Sequence, residues 1–142
     1  LGIEPLSSGF TPEWLHTQLK QKNRMMKPLL LDQSFIAGLG NIYVDEALWQ
    51  AGIHPKSRSS QIGTKKAGSL CQAIQNILTE AITLNGTTII NFSFGQNSMG
   101  SYKEKLKIFG KINYPCPKCG SPIQKIKVTQ RGTHFCPKCQ LI

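Results

Sequence analysis

The sequence predicts a mainly α chain that ends in a small β ribbon stapled by four cysteines. Three observations carry this expectation: apolar stripes of helical period, capping residues that punctuate them, and two Cys-x-x-Cys pairs near the C-terminus. The approach segment "LGIEPLSSGFT" is rich in Pro, Gly and Ser. Thr11 before Pro12 reads as an N-cap followed by proline at the first helical position, with Glu13 in the first turn. Trp14, Leu15 and Leu19 then share one face of a first helix, which the basic "KNRMMK" junction closes. A second helix is expected from Pro28, with Leu30, Leu31, Ser34 and Phe35 at helical spacing and Gly38 as its stop. Asn41 opens a third, in which Ile42, Leu48 and Trp49 are apolar and Gly52 is the end.

A fourth helix is expected from about Thr64 to Leu84, ended by Gly86. Leu70, Cys71, Ile74, Ile77, Leu78, Ala81 and Ile82 make its apolar stripe. "FSFGQNSMGSY" (92–102) has no periodicity and reads as a long loop. "KLKIFGKI" and "IQKIKV" alternate charged and apolar residues, which predicts two strands of a small antiparallel sheet.

The 142 residues suffice for one ordinary domain, or one plus a small metal-stapled one. With 39% apolar residues and no run near the roughly 20 that a spanning helix needs, a soluble, intracellular chain is expected, with no membrane partner. A start at Leu1 without Met, and without the layout of a signal peptide, reads as a piece or a processed product. The net charge is +10, of which +2 falls in residues 1–102 and +8 from Lys103 onward, where nine Lys/Arg face Glu104 alone. Such density suits a polyanion, most simply nucleic acid, although a solvated Lys-rich surface has the same composition.

Cys116, Cys119, Cys136 and Cys139 form CxxC, 16 intervening residues, then CxxC. Two residues between thiolates let both reach one tetrahedral ion, and four thiolates leave no open position, so a single structural zinc is expected. A redox dithiol pair and an iron–sulfur site are the alternatives; spacing and strand context favour zinc. The pattern speaks against a secreted disulfide framework. His134 reads as a strand residue and Cys71 as a buried thiol, while His16 and His54 look ordinary.

Gln130-Arg131-Gly132 falls where the ribbon should turn, so Arg131 would project from a rigid tip and can bridge a phosphate in bidentate fashion. "GLGN" (38–41) joins two helix-like runs with almost no loop. A helix starting there presents unpaired backbone N–H groups, glycines such as Gly40 let a phosphate approach closely, and Asn41 can cap the helix or donate its amide to a phosphate. A plain helix–helix turn with Asn as cap is the commoner use of such a corner. Asp45 and Glu46 read as acids that complement the helix dipole.

Taken together, "KPLLLDQSFIAGLGNIYVDEALWQAGIHP", the long helix, "NGTTI" and "PCPKCGSPIQKIKVTQRGTHFCPKCQ" resemble the C-terminal half of bacterial formamidopyrimidine-DNA glycosylases over nearly the whole chain. The resemblance implies a helix–two-turns–helix bundle over 1–89, a lesion-capping loop and linker over 90–105, and a zinc-finger hairpin over 106–142. It implies a base-excision-repair glycosylase/AP lyase acting on oxidised purines (8-oxoguanine, formamidopyrimidine) in damaged double-stranded DNA, cytoplasmic and nucleoid-associated, working as a monomer. By position, Asn41 and Gly40 are similar to the family's phosphate-binding corner. Arg131 is similar to its finger arginine, a proton donor in δ-elimination, and Lys22 to a DNA-contacting position. Endonuclease VIII relatives share both motifs; the long loop favours the formamidopyrimidine branch.

One departure matters. The family's nucleophile is the amine of an N-terminal Pro followed by Glu, whereas residue 1 here is Leu and Pro5 is internal. An exposed lysine, with a pKa of about 10.4, is mostly protonated and a poor substitute. The expectation is therefore a DNA-binding part without base excision of its own. The alternatives are a stand-alone, non-catalytic nucleic-acid-binding zinc module, and a zinc ribbon of transcription or translation machinery, which leaves the GLGN corner unexplained.

Overall fold

The computed structural model describes residues 1–92 and 104–142, with backbone alone over 85–92. Helix α1 spans Pro12–Lys22, α2 Met26–Leu31, α3 Asn41–Ala51 and α4 Thr64–Phe92; a 3-10 turn lies at Ser59–Gln61, and strands β1 (Gln124–Val128) and β2 (Arg131–Phe135) follow. The loop expected over 92–102 lies, apart from Phe92, outside the described residues. No described helix is long and apolar enough to cross a membrane.

Local chemistry sets the boundaries. Thr11 accepts from the Trp14 amide and Pro12 occupies the first turn of α1, while Asn23 closes it in the left-handed region at φ 45°. The second helix departs from expectation: it starts at Met26 and ends at Leu31. Asp32 accepts from both the amide and the hydroxyl of Ser34, and this local side-chain turn outcompetes the helix. Ser34 and Phe35 therefore lie in turns. Helix α4 runs through Gly86 to Phe92. A glycine inside a helix costs only about 1 kcal/mol relative to alanine. Within its stripe Ile77, Leu78 and Ala81 are buried, but Ile82 is turned outward and exposed.

Helices α1 and α3 both pack on α4. Leu15, Leu19, Leu29, Leu30, Ile36, Leu48, Leu70 and Ile74 fill the core, with Leu106 from ahead of the ribbon. A second, smaller core joins Trp49 of α3 to Ile108, Cys116, Ile123 and Cys136. Burial of such apolar surface, at roughly 25 cal/mol per Å², is the main favourable term for both clusters.

The ribbon is one antiparallel pair, β1 with β2, in a register that sets Val128 opposite Arg131 and Gln124 opposite Phe135. Thr129 and Gln130 make the turn, both at positive φ (47° and 70°), as a two-residue hairpin requires. "KLKIFGKI" is not the partner strand. Its Leu106 and Ile108 anchor in different cores, and the amides of Lys107, Ile108 and Phe109 are taken by the Glu46 carboxylate, so no ladder forms there.

A candidate nucleic-acid interface beside a zinc site

The Gly38–Asn41 corner is held by one side chain. Gln33 accepts from the Gly38 amide at 2.7 Å and donates to the Leu39 carbonyl at 3.0 Å, closing the turn from inside. Gly38 adopts φ 91°, a conformation that glycine takes without penalty. Gly40, with extended backbone and open space where a Cβ would stand, is the N-cap of α3, and no side chain caps that end.

Asn41 is the first residue of α3, not its cap. Its side-chain amide crosses to the ribbon and donates to the Gly132 carbonyl at 3.3 Å, while its Oδ1 is buried without a hydrogen-bond partner among the described residues. Arg131, immediately before Gly132, is exposed at the start of β2. The corner and the strand bearing Arg131 are thus in direct contact. Lys125 and Lys127 are exposed on the facing strand. Lys22 is exposed on the last turn of α1, and its ammonium lies 5.9 Å from the centroid of the Phe35 ring.

Beneath this surface lies a charged seam that the sequence did not disclose. Lys27 of α2 is fully buried and spends its three N–H donors on Asp45 Oδ1 (2.7 Å), Thr133 Oγ1 (2.8 Å) and the Gly132 carbonyl (3.0 Å). Asp45 Oδ2 accepts the His134 amide at 2.9 Å. Burial pushes the Asp45 carboxyl up to about 6 and pulls the Lys27 ammonium below its ordinary value, each resisted by attraction to the other. Burial also lowers His134, whose ring lies 4.6 Å from that of Phe109 and whose Nδ1 has no hydrogen-bond partner among the described residues.

Asp45 and Glu46 are therefore not exposed dipole complements. Both are buried, and they fasten residues 107–109 and the ribbon to α3. A lysine inside the apolar run "MMKPLLL", and adjacent acids on the otherwise apolar face of a helix, were the available signals.

The sulfurs of Cys116, Cys119, Cys136 and Cys139 all lie within 4.8 Å of one another. Two of the separations are 3.9 Å (Cys116–Cys139) and 3.5 Å (Cys119–Cys136). Zinc–sulfur bonds of about 2.3 Å place tetrahedral thiolates about 3.8 Å apart, so the four residues fit one zinc ion. Hydrogen bonds from Ser121 draw Cys119 down to about 6, whereas burial pushes Cys139 up to about 12. Sulfurs so close ionise together only around a cation.

The two knuckles differ for a structural reason. Gly120 takes φ 80° after the first. Gln140 after the second is buried, accepting from the Cys136 amide and donating to the Ile53 carbonyl beyond α3. Among the other candidates, Cys71 is buried and Pro5 is buried within the chain.

The comparisons agree with this geometry. Residues 1–93 match the formamidopyrimidine-DNA glycosylase H2TH domain, and residues 115–142 match a zinc finger found in FPG and IleRS. The formamidopyrimidine-DNA glycosylase of Lactobacillus helveticus is 50% identical over 142 residues, covering 100% of this chain and 51% of the relative. That of Bacillus licheniformis is 47% identical over 124 residues, 87% of this chain and 45% of the relative. The chain spans about half the length of these relatives.

Among solved structures, MutM in complex with DNA containing carbocyclic 8-oxo-G superposes with a TM-score of 0.86 at 40% identity, covering 100% of this chain and 51% of that one. Lactococcus lactis Fpg bound to DNA with an abasic site gives 0.85 at 42%, over 99% of this chain and 51% of that one. With its helical part and its four-cysteine hairpin both matched, this chain belongs to the formamidopyrimidine-DNA glycosylase H2TH family.

Proposed function

We propose that this chain is the DNA-gripping part of a base-excision-repair glycosylase for oxidised purines. One observation carries the reading: the Asn41 amide rests on the Gly132 carbonyl, so the helix corner and the Arg131 strand form one continuous surface. Relatives sharing this fold have been solved with 8-oxo-G and abasic-site DNA.

On this surface Gly40 leaves the start of α3 open to a phosphate, Asn41 offers its remaining amide hydrogen, and Arg131 provides a bidentate fork. Lys22 adds a further phosphate contact. Two phosphates held on either side of a nucleotide offset the few kcal/mol needed to unstack its base. Arg131 also donates a proton to the departing phosphate in δ-elimination. Zinc does no chemistry on DNA; it fixes the hairpin that aims Arg131.

The chain works as a monomer, with a helical part that reaches Phe92 at the end of α4 and a finger over 106–142; the lesion-capping loop expected over 90–105 falls, between Phe92 and Glu104, outside the described residues. The covalent step, which needs an amine free at neutral pH, is assigned to the half of the relatives' length that this chain does not cover. The test is binding of a duplex with a tetrahydrofuran abasic analogue, combined with borohydride trapping on true abasic DNA. The reading expects tighter binding to the analogue than to intact duplex, and no trapped adduct. Equal affinity for both duplexes contradicts the lesion-gripping role, and an adduct contradicts the assignment of the covalent step.

A further inference from the structure

The C-terminal end of α3 is docked on the first zinc knuckle. Trp49, 4% exposed, points its indole Nε1 at Cys116 Sγ, 3.3 Å away, and both residues belong to the smaller core. An indole N–H is only a donor, and when buried it requires an acceptor; the sulfur is the acceptor it has found. Lys118, inside the same knuckle, sits 4.4 Å from the Trp49 ring centroid and donates to the carbonyls of Trp49 and Gln50 at the end of α3. The Lys118 amide also donates to Cys116 Sγ, at 3.4 Å.

We propose that Trp49 acts as an outer-sphere partner of the zinc: its N–H donates to the Cys116 thiolate and strengthens retention of the metal. A hydrogen bond to a ligating thiolate would fix the orientation of the sulfur towards the ion and share its charge, and losing such an outer-sphere partner lowers metal affinity. Helix α3 then runs from the Asn41 corner to the cysteine knuckle, with Trp49 about 12 Å along its axis at 1.5 Å per residue. This inference depends on the zinc site alone and stands whether or not the chain grips damaged DNA.

The test is Trp49→Phe in the zinc-loaded chain. Phenylalanine retains the aromatic packing and removes the N–H. Zinc transfer to a competing chelator is expected to be about tenfold more favourable in the variant, within the range for losing an outer-sphere partner. Trp14→Phe, in the helical core, is expected to leave zinc retention unchanged. With cobalt(II) in place of zinc, the sulfur-to-metal charge-transfer bands of Trp49→Phe are expected to move to lower energy, because an unbonded thiolate is a stronger electron donor. Unchanged zinc retention overturns the proposal. So does weaker retention with unmoved bands, which assigns Trp49 to packing alone.

Discussion

The ammonium of Lys27 and the carboxylate of Asp45 meet at 2.7 Å with neither side chain exposed to solvent. They lie on different helices, and both reach the same strand of the finger: Lys27 through Gly132 and Thr133, Asp45 through His134. This pair is the joint through which the helical part and the ribbon hold a fixed relation.

Removing one partner leaves the other charged and buried. Lys27→Met is expected to destabilise the chain by about 3–5 kcal/mol, the usual cost of stranding a buried charge. A Lys27→Met/Asp45→Leu double variant should recover most of that loss. Urea denaturation followed by circular dichroism measures both; a single variant as stable as wild type would show that the pair contributes nothing.

Asp45 also predicts a pH dependence. Its carboxyl is raised from 3.8 to about 6, chiefly by burial, against the opposing pull of Lys27, with Glu46 beside it and the His134 Nδ1 at 3.8 Å. The folded-state value lies above the unfolded one, so the folded chain binds this proton first. The contribution of this group to stability therefore grows as pH falls from about 6 towards 3.8 and is lost as pH rises through that window. Comparing wild type with Asp45→Asn cancels the protonation of the zinc thiolates. The stability difference, wild type minus variant, should increase on acidification, and a flat difference would refute the shift.

Zinc removal tests the architecture. Chelation is expected to unfold the hairpin, whose smaller core includes Cys116 and Cys136, while α1 and α4 persist on the larger core. Loss of all helical signal on chelation would mean that the two cores are one cooperative unit.

Glu46 is expected to matter although it is buried. Its two oxygens accept the amides of Lys107, Ile108 and Phe109. Glu46→Ala leaves the buried Ile108 N–H without its acceptor, at about 1–3 kcal/mol. Amide exchange over 107–109 should accelerate in the variant, and unchanged protection would show that the carboxylate is not their anchor.

Local signals were legible in the sequence. The CxxC spacing, the Thr11–Pro12 cap, the Gly52 stop and the start of α4 at Thr64 each depend on residues within a turn or two of one another. Helix α2 was overextended because Leu30, Leu31, Ser34 and Phe35 have the right spacing, and spacing does not register the turn that Asp32 makes with Ser34. The turn near Gln130–Gly132 and His134 as a strand residue are legible locally, whereas "KLKIFGKI" forms no strand because alternation does not show that its amides are already taken by Glu46. The seam was illegible for another reason: Lys27 meets Thr133 across 106 residues of chain, and no pattern in "MMKPLLL" specifies a partner that far away. Asn41 and Arg131 were singled out from local chemistry and resemblance, but the Gly132 carbonyl that joins them is a backbone atom with no signature in the sequence.

Arg131→Ala should weaken duplex binding and flatten its salt dependence. Losing one phosphate contact lowers the slope of log K against log salt by about 0.9. An unchanged slope across a salt titration would remove Arg131 from the interface.

The most direct measurement is a double-mutant cycle on Asn41→Ala and Arg131→Ala, read as affinity for a duplex carrying the tetrahydrofuran abasic analogue. Two residues gripping one strand from touching elements should be coupled, by about 0.5–3 kcal/mol. Losses that simply add would mean that the helix corner and the finger hold DNA independently, contrary to a single surface joined at Asn41 and Gly132.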